Sequence, residues 1–172
     1  MGIFTYSVHS SHNAIKHHMK NFLRFCLPAI LLFFVVSVKA QTAKKPSVLM
    51  NHVAVYVVDL EKSAHFYRDL IGLDTMPEPF HDGKHAWFRV GENCHLHVIS
   101  GAKEATIHDK NAHICFSVAS VDDFLKRLQN ENIEFESWPG EKGKYAVRVD
   151  GVKQLYLKDP DGYWIEINDA KY

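Results

Sequence analysis

No surplus of positive charge runs through this sequence: 20 Lys and Arg are balanced by 20 Asp and Glu. A nucleic-acid footprint needs unbalanced cations, so that class of partner is excluded. A membrane-spanning run is also missing. The apolar stretch from Phe25 to Val38 is short of the ~20 residues that a spanning helix requires. Cysteine is scarce, with Cys26, Cys94 and Cys115 the full set. Disorder is excluded by the opposite kind of evidence, a hydrophobic fraction of 47%, which is enough to build a core.

The front of the chain reads as an export signal. Met19 opens a basic stretch with Lys20 and Arg24, the apolar run follows, and Val38-Lys39-Ala40 forms a small-x-small site before Gln41. That order is what a signal peptide requires. Residues 1–18 are therefore an upstream extension, 19–40 a signal peptide and 41–47 a linker, leaving one domain over 48–172. The expected location is periplasmic or extracellular after cleavage at Ala40, with no stable membrane anchor; an uncleaved anchor is the alternative. Export favours disulfides, but strand parity puts Cys94 on the Leu96 face and Cys115 on the His113 face. Two free thiols are expected.

The domain contains a duplication. Asn51-His52-Val53-Ala54-Val55-Tyr56-Val57 leads into a helix-like run, and so does Ala112-His113-Ile114-Cys115-Phe116-Ser117-Val118. Later strands carry His95-Leu96-His97-Val98 in the first copy and Trp164-Ile165-Glu166-Ile167 in the second. His52 and His113 lie 61 positions apart and His97 and Glu166 lie 69 apart, so the second copy is longer by eight. Pro139, Gly140 and Gly143 mark the segment 136–144 as the place for the extra length. Side chains alternate across a strand, so Val53, Val55, Val57, Leu96, Val98, Ile114, Phe116, Val118, Ile165 and Ile167 share the buried side. His52, His97, His113 and Glu166 take the other and form a candidate metal-ligand set. His95 lies two residues from His97 on the same face and either competes for its place or lines the substrate pocket. Tyr56 and Trp87 are candidate pocket residues, with Tyr163 and Trp164 open between pocket and core. His65, His81, His85 and His108 are read as exposed in helices or loops.

Each copy reads as βαβββ. A helix starts near Asp59 and stops at Gly72, and a second is capped by Ser120 with Asp123 and carries Phe124, Leu125 and Leu128 as its stripe. Phe66, Tyr67, Phe116 and Phe124 belong to the core. Strands are expected near 73–76, 85–90 and 94–99, then near 134–137, 145–149, 153–157 and 163–168. Between the last two, Asp159-Pro160-Asp161-Gly162 suits a type I turn, with proline second and glycine fourth.

With these motifs and Lys158-Asp159-Pro160-Asp161-Gly162-Tyr163-Trp164-Ile165-Glu166-Ile167 at the end, the chain resembles the vicinal oxygen chelate superfamily. That group includes glyoxalases, methylmalonyl-CoA epimerase, bleomycin- and fosfomycin-resistance proteins and extradiol dioxygenases. The resemblance covers residues 50–168. It implies an α+β fold in which two βαβββ modules, about 48–109 and 110–172, form a cupped mixed sheet around a metal site. It also implies ligands from the first and last strands of each module, here His52, His97, His113 and Glu166. In short two-module members it implies a homodimer pairing His52 and His97 of one chain with His113 and Glu166 of the other. Two departures matter. Bacterial-type glyoxalases carry a glutamate used in proton transfer where His97 stands, and fosfomycin-resistance proteins carry a threonine where Ala54 stands.

Three imidazoles and a carboxylate suit a divalent ion such as zinc, nickel, cobalt, manganese or iron. Adjacent open positions would accept two neighbouring oxygens of a small substrate, and the ion would polarise a carbonyl or stabilise an enediolate. Glu166 is the carboxylate candidate for catalytic proton transfer, with metal-bound hydroxide as the alternative. The leading expectation is a metal-dependent lyase or isomerase. An iron(II) extradiol-type dioxygenase comes second, and a binding protein without turnover third.

Overall fold

The computed structural model describes residues 47–171 together with Gly2. The expected signal peptide, nearly all of the extension and most of the linker lie outside the described residues. Among those described, no helix is long and apolar enough to cross a membrane.

The first module runs from β1 (His52–Val57) into helix α1 (Leu60–His65), which widens into a π-helical turn (Phe66–Ile71). Strands β2 (Asp74–Met76), β3 (His85–Arg89) and β4 (His95–Ser100) follow. The second module repeats the order with β5 (His113–Ser117), α2 (Val121–Asn130), β6 (Ala146–Val147), β7 (Lys153–Lys158) and β8 (Trp164–Asn168). Each module makes its own four-stranded mixed sheet, ordered β1-β4-β3-β2 and β5-β8-β7-β6. The two outer pairs, β1 with β4 and β5 with β8, are parallel. A parallel pair needs a crossover, and the helix of each module supplies it. The expected α+β class and the βαβββ repeat are what the chain forms.

The helix boundaries follow from local chemistry. Asp59 caps α1 by accepting from the Lys62 amide at 3.0 Å, and Ser120 caps α2 by accepting from the Asp123 amide at 3.2 Å. Gly72 ends the first helical run at φ +90°, a left-handed conformation that costs glycine nothing. On α2, Val121, Phe124 and Leu128 are buried, as the i, i+3, i+7 spacing requires.

One hydrophobic core serves both modules. Val55, Val57, Leu96 and Val98 from the first sheet join Phe116, Leu155, Ile165 and Ile167 from the second, with Phe66, Leu70, Phe124 and Leu128 between them. Each such aliphatic side chain contributes about 1.5–3 kcal/mol through burial. A second tie is polar. The Val58 amide and the Ser63 hydroxyl donate to the two oxygens of Asp161 at 2.7 and 2.9 Å, and the Tyr67 hydroxyl donates to Asp159 at 2.7 Å. The turn carrying these carboxylates closes with the Gly162 amide donating to the Asp159 carbonyl at 3.1 Å. It is the turn that Pro160 and Gly162 forecast.

Two expected strands change. The segment near 134–137 makes only isolated antiparallel bridges from Glu136 to Lys142 and to Tyr156, because the chain doubles back at Pro139 and Gly140. The strand near 145–149 shrinks to Ala146–Val147, cut short where the Gly151 amide turns back to the Arg148 carbonyl at 2.9 Å. Both pieces lie along the outer edge of β7. Cys94 and Cys115 are free thiols.

Candidate metal centre

In the first sheet, β1 and β4 align His52 with His95 and Ala54 with His97, so all three histidines share one face. The rings settle which pair meets. His97 stacks on His52 with centroids 4.3 Å apart and on Trp87 at 4.0 Å, whereas His95 lies 6.2 Å from His97. His95 instead borders an open depression of about 460 Å³ with Leu49, Met50, Asn51, Glu92 and Asn93. The His52 Nδ1 is bonded to the Asn51 side-chain oxygen at 2.7 Å, which directs its Nε2 outward. The His97 Nε2 is buried and has no hydrogen-bond partner. A buried polar atom left unpaired is costly, and a nitrogen lone pair in that state is suited to a cation. Burial first, then the neighbouring rings of His52, His95 and His85, push the His97 pKa down. The neutral, ligating form is therefore favoured.

In the second sheet, β5 and β8 align Cys115 with Glu166, and β7 brings Tyr156 against Glu166 from the other side. His113 Nδ1 lies 2.7 Å from the Lys110 carbonyl oxygen. A carbonyl only accepts, so Nδ1 carries a proton, and in the neutral ring Nε2 is then the nitrogen with the lone pair. That Nε2 faces Glu166 Oε2 at 3.0 Å, an arrangement that needs a proton or a metal ion between the two. Cis ligands at ~2.1 Å from one octahedral ion lie about 3.0 Å apart. The pair fits a metal.

Glu166 is only 5% exposed. Its Oε2 accepts from the Tyr156 hydroxyl at 2.5 Å and its Oε1 from Asn168 Nδ2 at 2.9 Å. Burial alone would raise its pKa. The hydrogen bonds from Tyr156, Asn168 and Cys115, together with the attraction that a protonated His113 exerts, override that and hold the carboxyl below its usual range. Burial and the Glu166 carboxylate push the Cys115 thiol up to about 12, which keeps it protonated at neutral pH in the metal-free protein. The same causes raise the Tyr156 phenol, so it is a hydrogen-bond donor at neutral pH.

The four ligand candidates fall in two pairs, His52 with His97 on the first sheet and His113 with Glu166 on the second. Among the described residues, no three His, Cys, Asp or Glu side chains gather within one chain to hold an ion. Each pair lies beside a sheet edge with no neighbour, β1 in one case and β5 in the other. Of the pocket candidates, Trp87 reaches the site by stacking on His97. Tyr56 is 54% exposed on the His52 face, about 13 Å farther along the strand. Tyr163 packs against the core, and Trp164 takes the Glu166 face with Nε1 donating to the His108 carbonyl at 3.0 Å. His85 and His108, expected in exposed loops, differ. His85 opens β3 and packs at 4.6 Å on Phe80, and His108 stacks on Tyr163 at 4.0 Å. Tyr156 and Asn168 went unread. Parity along β8 already puts Asn168 beside Glu166, but Tyr156 depends on the register of β7.

Residues 49–167 match the Glyoxalase/Bleomycin resistance protein/Dioxygenase superfamily. The chain belongs to it. Among curated proteins it is similar to Glyoxylase I 4 of Arabidopsis thaliana, 27% identical over 69% of this chain and 68% of that protein. It is also similar to the mitochondrial methylmalonyl-CoA epimerase of Mus musculus, 29% identical over 70% of this chain and 72% of that protein. Among solved structures, Oxidase ChaP-H1 superposes with a TM-score of 0.60 at 28% identity, covering 73% of this chain and 98% of that one.

Proposed function

We propose that the protein is a metal-dependent lyase or isomerase of the glyoxalase-like type, working as a homodimer on a small substrate that presents two adjacent oxygens. His52 and His97 of one protomer would hold a divalent ion together with His113 and Glu166 of the partner subunit. The observation that carries this reading is the division of the ligands into two half-sites, each beside an open sheet edge. Similarity to a glyoxalase-named protein and to an epimerase supports the reaction class. We also propose export with cleavage after Ala40, which rests on the sequence of residues 19–40 alone.

When bound, the ion supplies Lewis acidity toward a chelated carbonyl. The residues of the chain have distinct tasks around it. Lys110 fixes the tautomer of His113 through its backbone carbonyl, and Trp87 and His52 hold the His97 ring flat between them. Glu166 would bring negative charge to the centre and is the carboxylate assigned, in this reading, to proton exchange with a substrate carbon. Tyr156 and Asn168 weaken it as a base, so its role as an anionic ligand comes first and proton transfer second.

Mixing a His52→Ala chain with a His113→Ala chain tests the reading. A shared arrangement leaves one intact and one doubly damaged site in each heterodimer, so metal binding returns on mixing. Failure to recover any metal, with heterodimers formed, overturns it. The similarity to Oxidase ChaP-H1 favours a second reading, an iron(II) ring-cleaving dioxygenase, in which His113 and Glu166 join one further histidine. Oxygen uptake with catechols on the iron-loaded protein would select that reading over the first.

A further inference from the structure

We propose that Asn168 is a positioning residue that ties up one oxygen of Glu166 and makes this carboxylate a one-oxygen metal ligand. The inference rests on the reading of His113 and Glu166 as a metal half-site. Asn168 ends β8, two residues past Glu166 and on the same face, and is 2% exposed. Its amide orientation is fixed by its partners. Oδ1 accepts from the Ser117 hydroxyl at 2.9 Å and from the Ala170 amide at 3.2 Å. A backbone N–H can only donate, so the oxygen must be the atom that faces it.

Nδ2 is thereby turned to the other side, where its two protons reach Glu166 Oε1 at 2.9 Å and Cys115 Sγ at 3.0 Å. Asn168 thus holds Oε1 within the fold by one hydrogen bond, while Oε2, which also accepts from Tyr156, is the oxygen on the His113 side, 3.0 Å from Nε2. A carboxylate that gives an ion one oxygen rather than two leaves one more coordination position free. A substrate that chelates through two neighbouring oxygens needs that position.

The duplication supplies an internal control. Two residues past His97 stands Ile99, and four past His52 stands Tyr56, where the second module has Asn168 and Ser117. The module whose last strand offers an imidazole has no such tray. An imidazole has one lone pair to give and needs no such restraint. The lock accompanies the carboxylate.

Titration of the purified protein with Co2+, by calorimetry and by visible d–d absorption, tests the proposal on wild type, Asn168→Leu and Ser117→Ala, with circular dichroism as the check on folding. Asn168→Leu should weaken Co2+ binding about 10–100-fold, because the carboxylate loses the group that orients it, and alter the d–d spectrum, because Oε1 becomes free to coordinate. Ser117→Ala, which removes one of the two donors that orient the Asn168 side chain, should move both readouts the same way by a smaller factor. It decides the matter if Asn168→Leu does not fold. Wild-type affinity and spectrum in the folded variants would overturn the positioning role while leaving the metal site standing. A wild-type protein that binds no Co2+ would overturn both.

Discussion

The Trp87 and His97 rings lie face to face, with centroids 4.0 Å apart and planes within 2° of parallel. Neighbouring strands make this contact, since Trp87 of β3 stands directly opposite His97 of β4. The stack fixes the ring whose Nε2 has no other partner. Trp87→Ala should therefore lower metal affinity about 10–100-fold, the usual cost of losing a group that orients a ligand. Trp87→Phe should retain most of it. Calorimetric titration of the two variants checks this, and equal affinities would show that the indole has no orienting role.

Tyr67 and Asp159 form one part of the polar tie between modules. Tyr67→Phe removes a donor to a buried carboxylate and should cost about 1.5–3 kcal/mol of stability, read as a lower midpoint in urea. The Asp161 and Tyr163 amides still donate to Asp159 at 3.0 and 2.8 Å, so the variant should fold.

The same carboxyl gives a pH dependence of definite sign. Burial raises the Asp159 pKa, and the hydrogen bonds from Tyr67, Tyr163 and Asp161 offset this only in part. A raised native pKa means that its contribution is complete below the unfolded value of ~3.9 and is lost as pH rises through the native value. Glu166 has the opposite sign in the metal-free protein. Its lowered pKa contributes stability above the unfolded value of ~4.3, lost as pH falls through the native one. Asp159→Asn should remove the first trend and Glu166→Gln the second, as measured by urea midpoints across the acid range.

Strand faces were readable because alternation is local: Val53, Val55 and Val57 point inward and His52 outward whatever the sheet around them. The Asp159–Gly162 turn was readable for the same reason. What escaped depends on contacts distant in sequence. Tyr156 meets Glu166 only through the antiparallel register of β7 and β8, and Glu136 bridges to Tyr156 from a segment with no regular strand of its own. The division of the ligand candidates into two pairs was expected from the family resemblance, not from strand parity. Parity assigns faces, whereas the relation of one sheet to the other is set by the shared core.

Gly162 sits where two constraints meet. Its φ is +92°, and a Cβ there would lie 2.4 Å from the Thr106 carbonyl oxygen. Backbone on one side and an unfavourable dihedral on the other leave alanine nowhere to relax. Gly162→Ala should destabilise the domain by more than the ~1 kcal/mol of an ordinary left-handed site, and an unchanged thermal midpoint would contradict the turn geometry.

His95 and His97 put the register of β4 to its sharpest test. Both point to the same face, but only His97 packs against His52, and only its Nε2 is buried without a partner. His97→Ala should abolish tight metal binding, whereas His95→Ala, at the rim of the open depression, should bind within a few-fold of wild type. His97→Glu would replace the imidazole with the carboxylate that bacterial-type glyoxalases carry there. It should bind metal again, at the cost of a buried charge beside Trp87. Metal titration of the three variants separates the candidates: loss in His95→Ala with retention in His97→Ala would mean that β4 presents the other histidine to the ion.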